Sequence, residues 1–346
     1  MQPRPGHRPA RPVPTCLALF AASCASVPLP APAPAQEALQ RQEPFVVRPF
    51  RPLLGERWIG NGIAYGMHRD GQSPDGAQPT RAQLHEDLIL LAQRFHLLRL
   101  YNASATAEVV LQIARDEKLP FRFLLGLWVA PETDAKAHAA NRAELEGGVR
   151  LANAFPGQVI ALEIGNETQI SWSDHRVPTE LLIGYLREAR ARTVVPVTTA
   201  DDFAYWSAPE SVRLAAELDF IDMHAYAMWA GEQLENALRF TQEKYAAVVQ
   251  HHPDRIIILG EHGWATKRHS EGEQAKLIRG QPGEEQQAAY RESALTWTTR
   301  ERIANVYFEA FDENWKGGAH PDEVEKHWGL YRADRTPKQA VRAASF

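Results

Sequence analysis

Eight short runs rich in β-branched and aromatic residues recur between Trp58 and Phe311, with longer amphipathic stretches between them. They are Trp58–Tyr65, His96–Tyr101, Phe121–Trp128, Val159–Glu167, Val195–Ala200, Leu218–Tyr226, Arg255–Glu261 and Ala304–Phe311. Strands separated by helices pair in parallel through right-handed crossovers, which leaves few architectures open. Two intervening stretches carry the helical period clearly. Thr80–Phe95 places Leu84, Leu88, Leu91, Ala92 and Phe95 at three- and four-residue spacing. Pro178–Thr193 places Leu181, Leu182, Tyr185, Leu186 and Ala189 on one face, with Pro178 expected in the first turn. Eight strand–helix units in about 250 residues predict an α/β chain folded as a single (β/α)₈ TIM barrel. An open doubly wound sheet would call for a glycine-rich phosphate turn. The segment WIGNGIAYG lacks the G-x-G-x-x-G spacing that opens a helix.

This reading assigns residues 58–346 to the barrel and 36–57, aperiodic and proline-containing, to a linker or a strap beneath it. The first 35 residues differ in composition. Arg4, Arg8 and Arg11 precede the apolar CLALFAASCASV, and a Pro/Ala run offers an A-x-A site at Ala33-Pro34-Ala35. That pattern predicts a signal peptide and a periplasmic or secreted protein. The apolar stretch is too short to span a bilayer, so no membrane span is expected. Cys24 lacks a leucine three residues before it, which argues against a lipid anchor. Cys16 and Cys24 are the only cysteines, and a cleaved chain would keep neither. Its stability would then rest on an apolar core, which this length supports.

Charge and histidine placement exclude other classes. A formal net charge of -5 offers no electrostatic footprint for nucleic acid. The histidines are scattered without metal-ligand spacing, and the His251-His252 pair suits a helix end. Neither a metal nor another cofactor is expected, and the chain is expected to act as a monomer.

In a parallel barrel the chemistry lies where strands end. Those ends supply Tyr65, Arg99 to Asn102, Trp128, Asn166-Glu167, His224 to Tyr226, Glu261, and Glu309 to Glu313 followed by Trp315 and Lys316. Carboxylates and aromatic rings converging on one rim suggest a sugar, whose C–H faces pack on rings while its hydroxyls take hydrogen bonds. Glycoside cleavage needs two carboxyl groups across the scissile bond. Glu167 and Glu261, ending the fourth and seventh strands, are the candidates.

With those residues in place, the chain resembles glycoside hydrolase family 17, the β-1,3-glucanase and β-1,3-glucanosyltransferase family. The resemblance is carried by IGNE on the fourth strand, GEHGW on the seventh and AFDENWK on the eighth. IAYGMHRDGQSP and HWGLYRADRTPK are similar to the bacterial branch, and the likeness spans about Trp58 to Lys338. It implies a retaining mechanism on β-1,3-linked glucan, with Glu167 as acid/base and Glu261 as nucleophile. Asn166 corresponds to the residue that bonds the sugar 2-hydroxyl, and Glu313 and Lys316 to an acidic and a basic position near the subsites. Tyr226 is expected to orient Glu261, and Arg99 to favour its charged form. Tyr65, Arg99, Tyr101, Trp264 and Trp315 are expected to contact substrate. The chain departs from the family pattern at His262, where many members have Ser, Thr or Ala, and at Ala265, where many have proline. A transglycosylase would use the same two glutamates, and a non-catalytic glycan-binding barrel would have lost one of them.

Overall fold

The computed structural model describes residues 43–342; the segment expected to be a signal peptide, with Cys16 and Cys24, lies outside the described residues. Eight parallel strands close into one barrel: β1 (Asn61–Ala64), β2 (Leu97–Leu100), β3 (Arg122–Leu127), β4 (Val159–Asn166), β5 (Val197–Asp202), β6 (Ile221–His224), β7 (Ile257–His262) and β8 (Asn305–Tyr307). Each pairs with its neighbours in chain order, and β8 returns to β1 through Asn305 opposite Asn61. The (β/α)₈ barrel is therefore observed. Most strands are shorter than the apolar runs that contain them. Trp58 pairs with Leu53 in a two-strand hairpin below the barrel, and Phe311 bridges Tyr331 beyond the end of β8.

The helices follow their sequence signals closely. Arg81–Ala92 begins at Thr80, whose side chain accepts from the Gln83 amide while Gln83 reaches back to Thr80, a capping box. Its buried Leu84, Leu88 and Leu91 pack on the sheet. Thr179–Arg192 starts one residue later than expected, with Pro178 at the N-cap; its fixed φ suits the residue entering a helix. His251 ends the Leu234–His251 helix and His252 caps it. The long loop after β7 contains a short helix, Gly272–Leu277. No helix among the described residues is long and apolar enough to cross a membrane.

The core lies in two layers. The larger cluster fills the space between strands and helices, while Phe50, Leu124, Ala161, Phe220, Ile258 and Ala304 form a smaller one at the strand starts. Phe50 reaches this lower cluster from the segment before the hairpin and stacks on Phe220 at 4.5 Å. Arg48 holds that segment in place, its guanidinium donating to the carbonyls of Thr193, Val195 and Arg190. The lower end is thus plugged with apolar side chains, and the opposite end is left for polar groups.

Candidate active site

The mouth is built from residues that end β2, β4, β6 and β7. β4 runs apolar to Ile164 and then turns: Gly165 has φ 81° and Glu167 φ 51°. The left-handed region costs a non-glycine residue roughly 1 kcal/mol or more. It is held by the Glu167 amide, which donates to the Ala200 carbonyl of β5 at 2.8 Å. The result lifts the Glu167 side chain into the opening, where its Oε1 meets Nδ1 of His224 at 2.8 Å.

Glu261 stands opposite and deeper, 5 % exposed. Its Oε1 accepts from Arg99 Nη1 and from the Tyr101 hydroxyl at 2.8 Å. Its Oε2 accepts from the Tyr226 hydroxyl at 2.5 Å and lies 3.6 Å from His224 Nδ1. Burial alone would raise its pKa. The charges of His224 and Arg99 and the two phenolic donors outweigh burial and bring the carboxyl down to about 2. One oxygen of Glu167, one of Glu261 and a ring nitrogen of His224 all lie within 4.8 Å of one another. Burial would also lower the His224 pKa, but Glu261 and Glu167 raise it above its ordinary value.

Asn166 lies beside the pair, with its Oδ1 accepting from Arg99 Nη2 at 2.7 Å. On the eighth-strand side, Lys316 Nζ sits 2.5 Å from Glu309 Oε2 and 2.9 Å from Glu313 Oε2. Burial would push the lysine pKa down, but these carboxylates raise it above the usual range. Trp315 is 40 % exposed, with its Nε1 donating to Glu313 Oε1 at 3.0 Å.

Three of the expected substrate contacts, Tyr65, Trp264 and Arg99, are buried, as is Glu313. Tyr65 is 1 % exposed and turns outward, its hydroxyl donating to Asp87 beneath the first helix. Trp264 is 0 % exposed, donates to the Gln281 carbonyl at 2.9 Å and packs against Tyr290, so it is core of the loop rather than a cleft wall. Arg99 is also fully buried, and it bonds Glu261 and Asn166. Glu313, 1 % exposed, ties the eighth-strand loop to the first by accepting from the His68 amide against Gly66, where a Cβ would stand 2.1 Å from its Oε2. Tyr101 remains at the mouth but points its hydroxyl at Glu261.

The structure also adds residues. His224 ends β6 two positions before Tyr226, so the strand-end signal that selects Tyr226 selects it too. Glu325 takes a hydrogen bond from Trp229 Nε1 at 3.1 Å; burial pushes its pKa up to about 7, against Lys316 and in the field of Glu167 and Glu261. It comes from a single 3₁₀ turn, Val324–Lys326, too short to give a periodic signal in the sequence. Trp128 (40 % exposed) and Trp172 (60 %) line the rim. Trp128 packs on His175, whose Nε2 bonds the Asn166 carbonyl at 2.8 Å.

His262 points out of the barrel. Its ring bonds the Tyr290 hydroxyl at 3.3 Å and Asn305 Oδ1 at 3.2 Å, beside a cavity of about 130 Å³ between the sheet and the helices. Burial lowers its pKa to about 4, which keeps it neutral.

Comparison with known proteins bears on the fold and the family. The profile of the BtgE/BtgC glycoside hydrolase domain matches residues 62–329. A glucan 1,3-beta-glucosidase of Arthroderma benhamiae is 26% identical over 295 residues, covering 80% of this chain and 88% of that protein. One of Schizosaccharomyces pombe is 26% identical over 273 residues, covering 75% and 80%. Among solved structures, an endo-laminarinase from Formosa Hel1_33_131 superposes with a TM-score of 0.72 at 23% identity, covering 82% of this chain and 86% of that one. A Rhizomucor miehei β-1,3-glucanosyltransferase mutant in complex with laminaritriose gives 0.65 at 24% identity, covering 81% and 96%. The barrel is common to both structures, and the profile match covers the strand-end carboxylates described above: the chain belongs to the BtgE/BtgC glycoside hydrolase family.

Proposed function

We propose that the chain is exported and, as a monomer, cleaves β-1,3-linked glucan with retention of anomeric configuration, Glu261 acting as nucleophile and Glu167 as acid/base. The observation that carries this reading is the approach of a Glu167 oxygen to within 4.8 Å of a Glu261 oxygen. Retaining pairs stand about 5–5.5 Å apart, whereas inverting pairs leave about 6.5–9.5 Å for a water. The substrate assignment rests on the family and on relatives named for β-1,3-glucan.

The roles follow from the contacts. A carboxylate with a pKa of about 2 is ionised throughout the neutral range, and Arg99, Tyr101 and Tyr226 aim it. It attacks the anomeric carbon as Glu167 delivers a proton to the leaving oxygen; Glu167 then removes a proton from the acceptor that opens the glycosyl-enzyme. Because Arg99 occupies the Asn166 carbonyl oxygen, the amide NH₂ is the end presented to a sugar hydroxyl. Exposed Trp128, Trp172 and Trp315 offer faces on which glucose rings stack.

Water and a sugar hydroxyl can resolve the same intermediate, so hydrolysis and chain transfer share every residue named. The test is incubation with linear β-1,3-glucan oligosaccharides, followed by NMR of the first products and by chain-length analysis. The expected first product is the β-anomer. An α-anomer would refute retention, no turnover would refute the substrate, and products longer than the starting chain would identify transfer. Replacing Glu261 with Ala should abolish turnover and leave binding.

A further inference from the structure

Beneath Glu261, three even-numbered strands send charged groups into the barrel interior. Arg99 of β2, Glu163 of β4 and Asp222 of β6 are 0 %, 2 % and 0 % exposed. Glu163 Oε1 accepts from both Nε and Nη2 of Arg99, the former at 2.9 Å. Its second oxygen, and both oxygens of Asp222, receive no donor among the described residues. The two carboxyl groups are within hydrogen-bonding reach of each other. Asp222 fits there because β7 has glycine at position 260: a Cβ on Gly260 would stand 1.5 Å from Asp222 Oδ1.

Two ionised carboxylates in contact, with Glu261 above them and one guanidinium among the three, are poorly balanced. Like charges held together away from water repel far more strongly than they would at the surface. A single proton between the two carboxyls removes that repulsion and satisfies an oxygen that otherwise accepts nothing.

We propose that Asp222 is a positioning residue that carries a proton in the working protein and donates it to Glu163, keeping Glu163 an anion that fixes Arg99 from below. Arg99 in turn gives Nη1 to Glu261 and Tyr101, and Nη2 to Asn166. The carboxyl pair therefore sets the aim of both the nucleophile and Asn166; this consequence rests on the catalytic reading proposed above. The groups that face Asp222 are Glu163 on β4, Arg99 on β2 and Glu261 on β7. Burial, reinforced by Glu163, raises the Asp222 pKa well above the carboxylate range against the pull of Arg99, consistent with the geometry.

Two substitutions separate this from an ionised Asp222 acting as a counter-ion. Asp222→Asn keeps a donor to Glu163 and changes no charge, so it should lose far less kcat/KM than a variant that removes the Glu163 anion, and the acid limb of its pH profile should not move. Glu163→Gln removes the anion that anchors Arg99; kcat/KM should fall by on the order of tenfold or more, and the acid limb should move down as Arg99 pairs wholly with Glu261. If Asp222→Asn is as damaging as Glu163→Gln, Asp222 is ionised and the proposal fails.

A second readout needs no substrate. In the intact protein labelled with ¹³C-aspartate, the infrared band of a protonated carboxyl should persist once the pH has passed the values of about 7 for Asp201 and about 6 for Asp202. It should shift with the label and be missing from Asp222→Asn. Absence of that band overturns the proposal even if Asp222→Asn does not fold. If the wild-type protein turns over no β-1,3-glucan, the catalytic reading fails while the band still decides the proton.

Discussion

Replacing Tyr226 with Phe removes a single hydroxyl from the Glu261 cage. The ring should stay where it is, held edge-on between Phe308 at 5.7 Å and Trp328 at 5.1 Å. What is lost is a donor 2.5 Å from Glu261 Oε2. A hydrogen bond to a charged group contributes about 1.5–3 kcal/mol, and 1.36 kcal/mol corresponds to one pKa unit, so Glu261 should rise by about one to two units. From about 2 in the wild-type protein it would reach roughly 3 to 4. The acid limb of kcat/KM, measured by brief pH jumps on a β-1,3-glucan oligosaccharide, should move up by the same amount. Stability gives a second check. The Glu261 pKa is depressed on folding, from 4.5 to about 2, so its contribution is fully present above 4.5 and is lost as pH falls through about 2. The stability gap between wild type and variant should therefore be constant near neutral pH and close towards pH 2 in urea titrations. A folded variant whose acid limb does not move would refute the account of what holds Glu261 ionised.

Arg99→Met should destabilise the fold by about 3–5 kcal/mol in urea titrations, because two buried carboxylates, Glu163 and Glu261, lose their shared cation. The two tryptophans near the site should separate cleanly. Trp264→Ala removes a fully buried ring and should cost about 3–5 kcal/mol of stability, whereas Trp315→Ala at 40 % exposure should leave the denaturation midpoint nearly unchanged and raise KM by on the order of tenfold. Gly260→Ala should destabilise by about 1–3 kcal/mol or more through the contact with Asp222, and adding Asp222→Ala should recover part of the loss, as a double-mutant cycle would measure.

The barrel was readable because a parallel sheet covered on both faces needs near-continuous apolar runs, and eight of them stand out. The carboxylate pair was readable for a related reason: IGNE and GEHGW place a charge where an apolar run stops. Strand ends locate the rim, but they do not say which way each side chain turns. At the end of β1 and just past β7, Tyr65 and Trp264 fall on the outward side and pack beneath helices. His262, with no evident role in the sequence, has the same explanation: it follows Glu261 by one position, faces outward and bonds Asn305 and Tyr290. Glu163 is a charge inside the apolar run of β4 rather than at its end, and its partner Arg99 is 64 positions away, so no local pattern marks it. Glu325 sits in one 3₁₀ turn, Val324–Lys326, too short for a local pattern to mark it.

The plug at the lower end bears on how the protein can be handled. Phe50 and Arg48 seal the strand starts, and the chain reaches them from Glu43, on the face remote from Glu167 and Glu261. Attachment of a tag, a fluorophore or a solid support just before Glu43 leaves the mouth unobstructed towards solution, even for a polymer too long to enter anything but an open cleft. Trimming past Phe50 would instead uncover Phe220 and Leu124 to water. For trimming from the Glu43 side, the limit is therefore set by one aromatic ring on the face away from the chemistry.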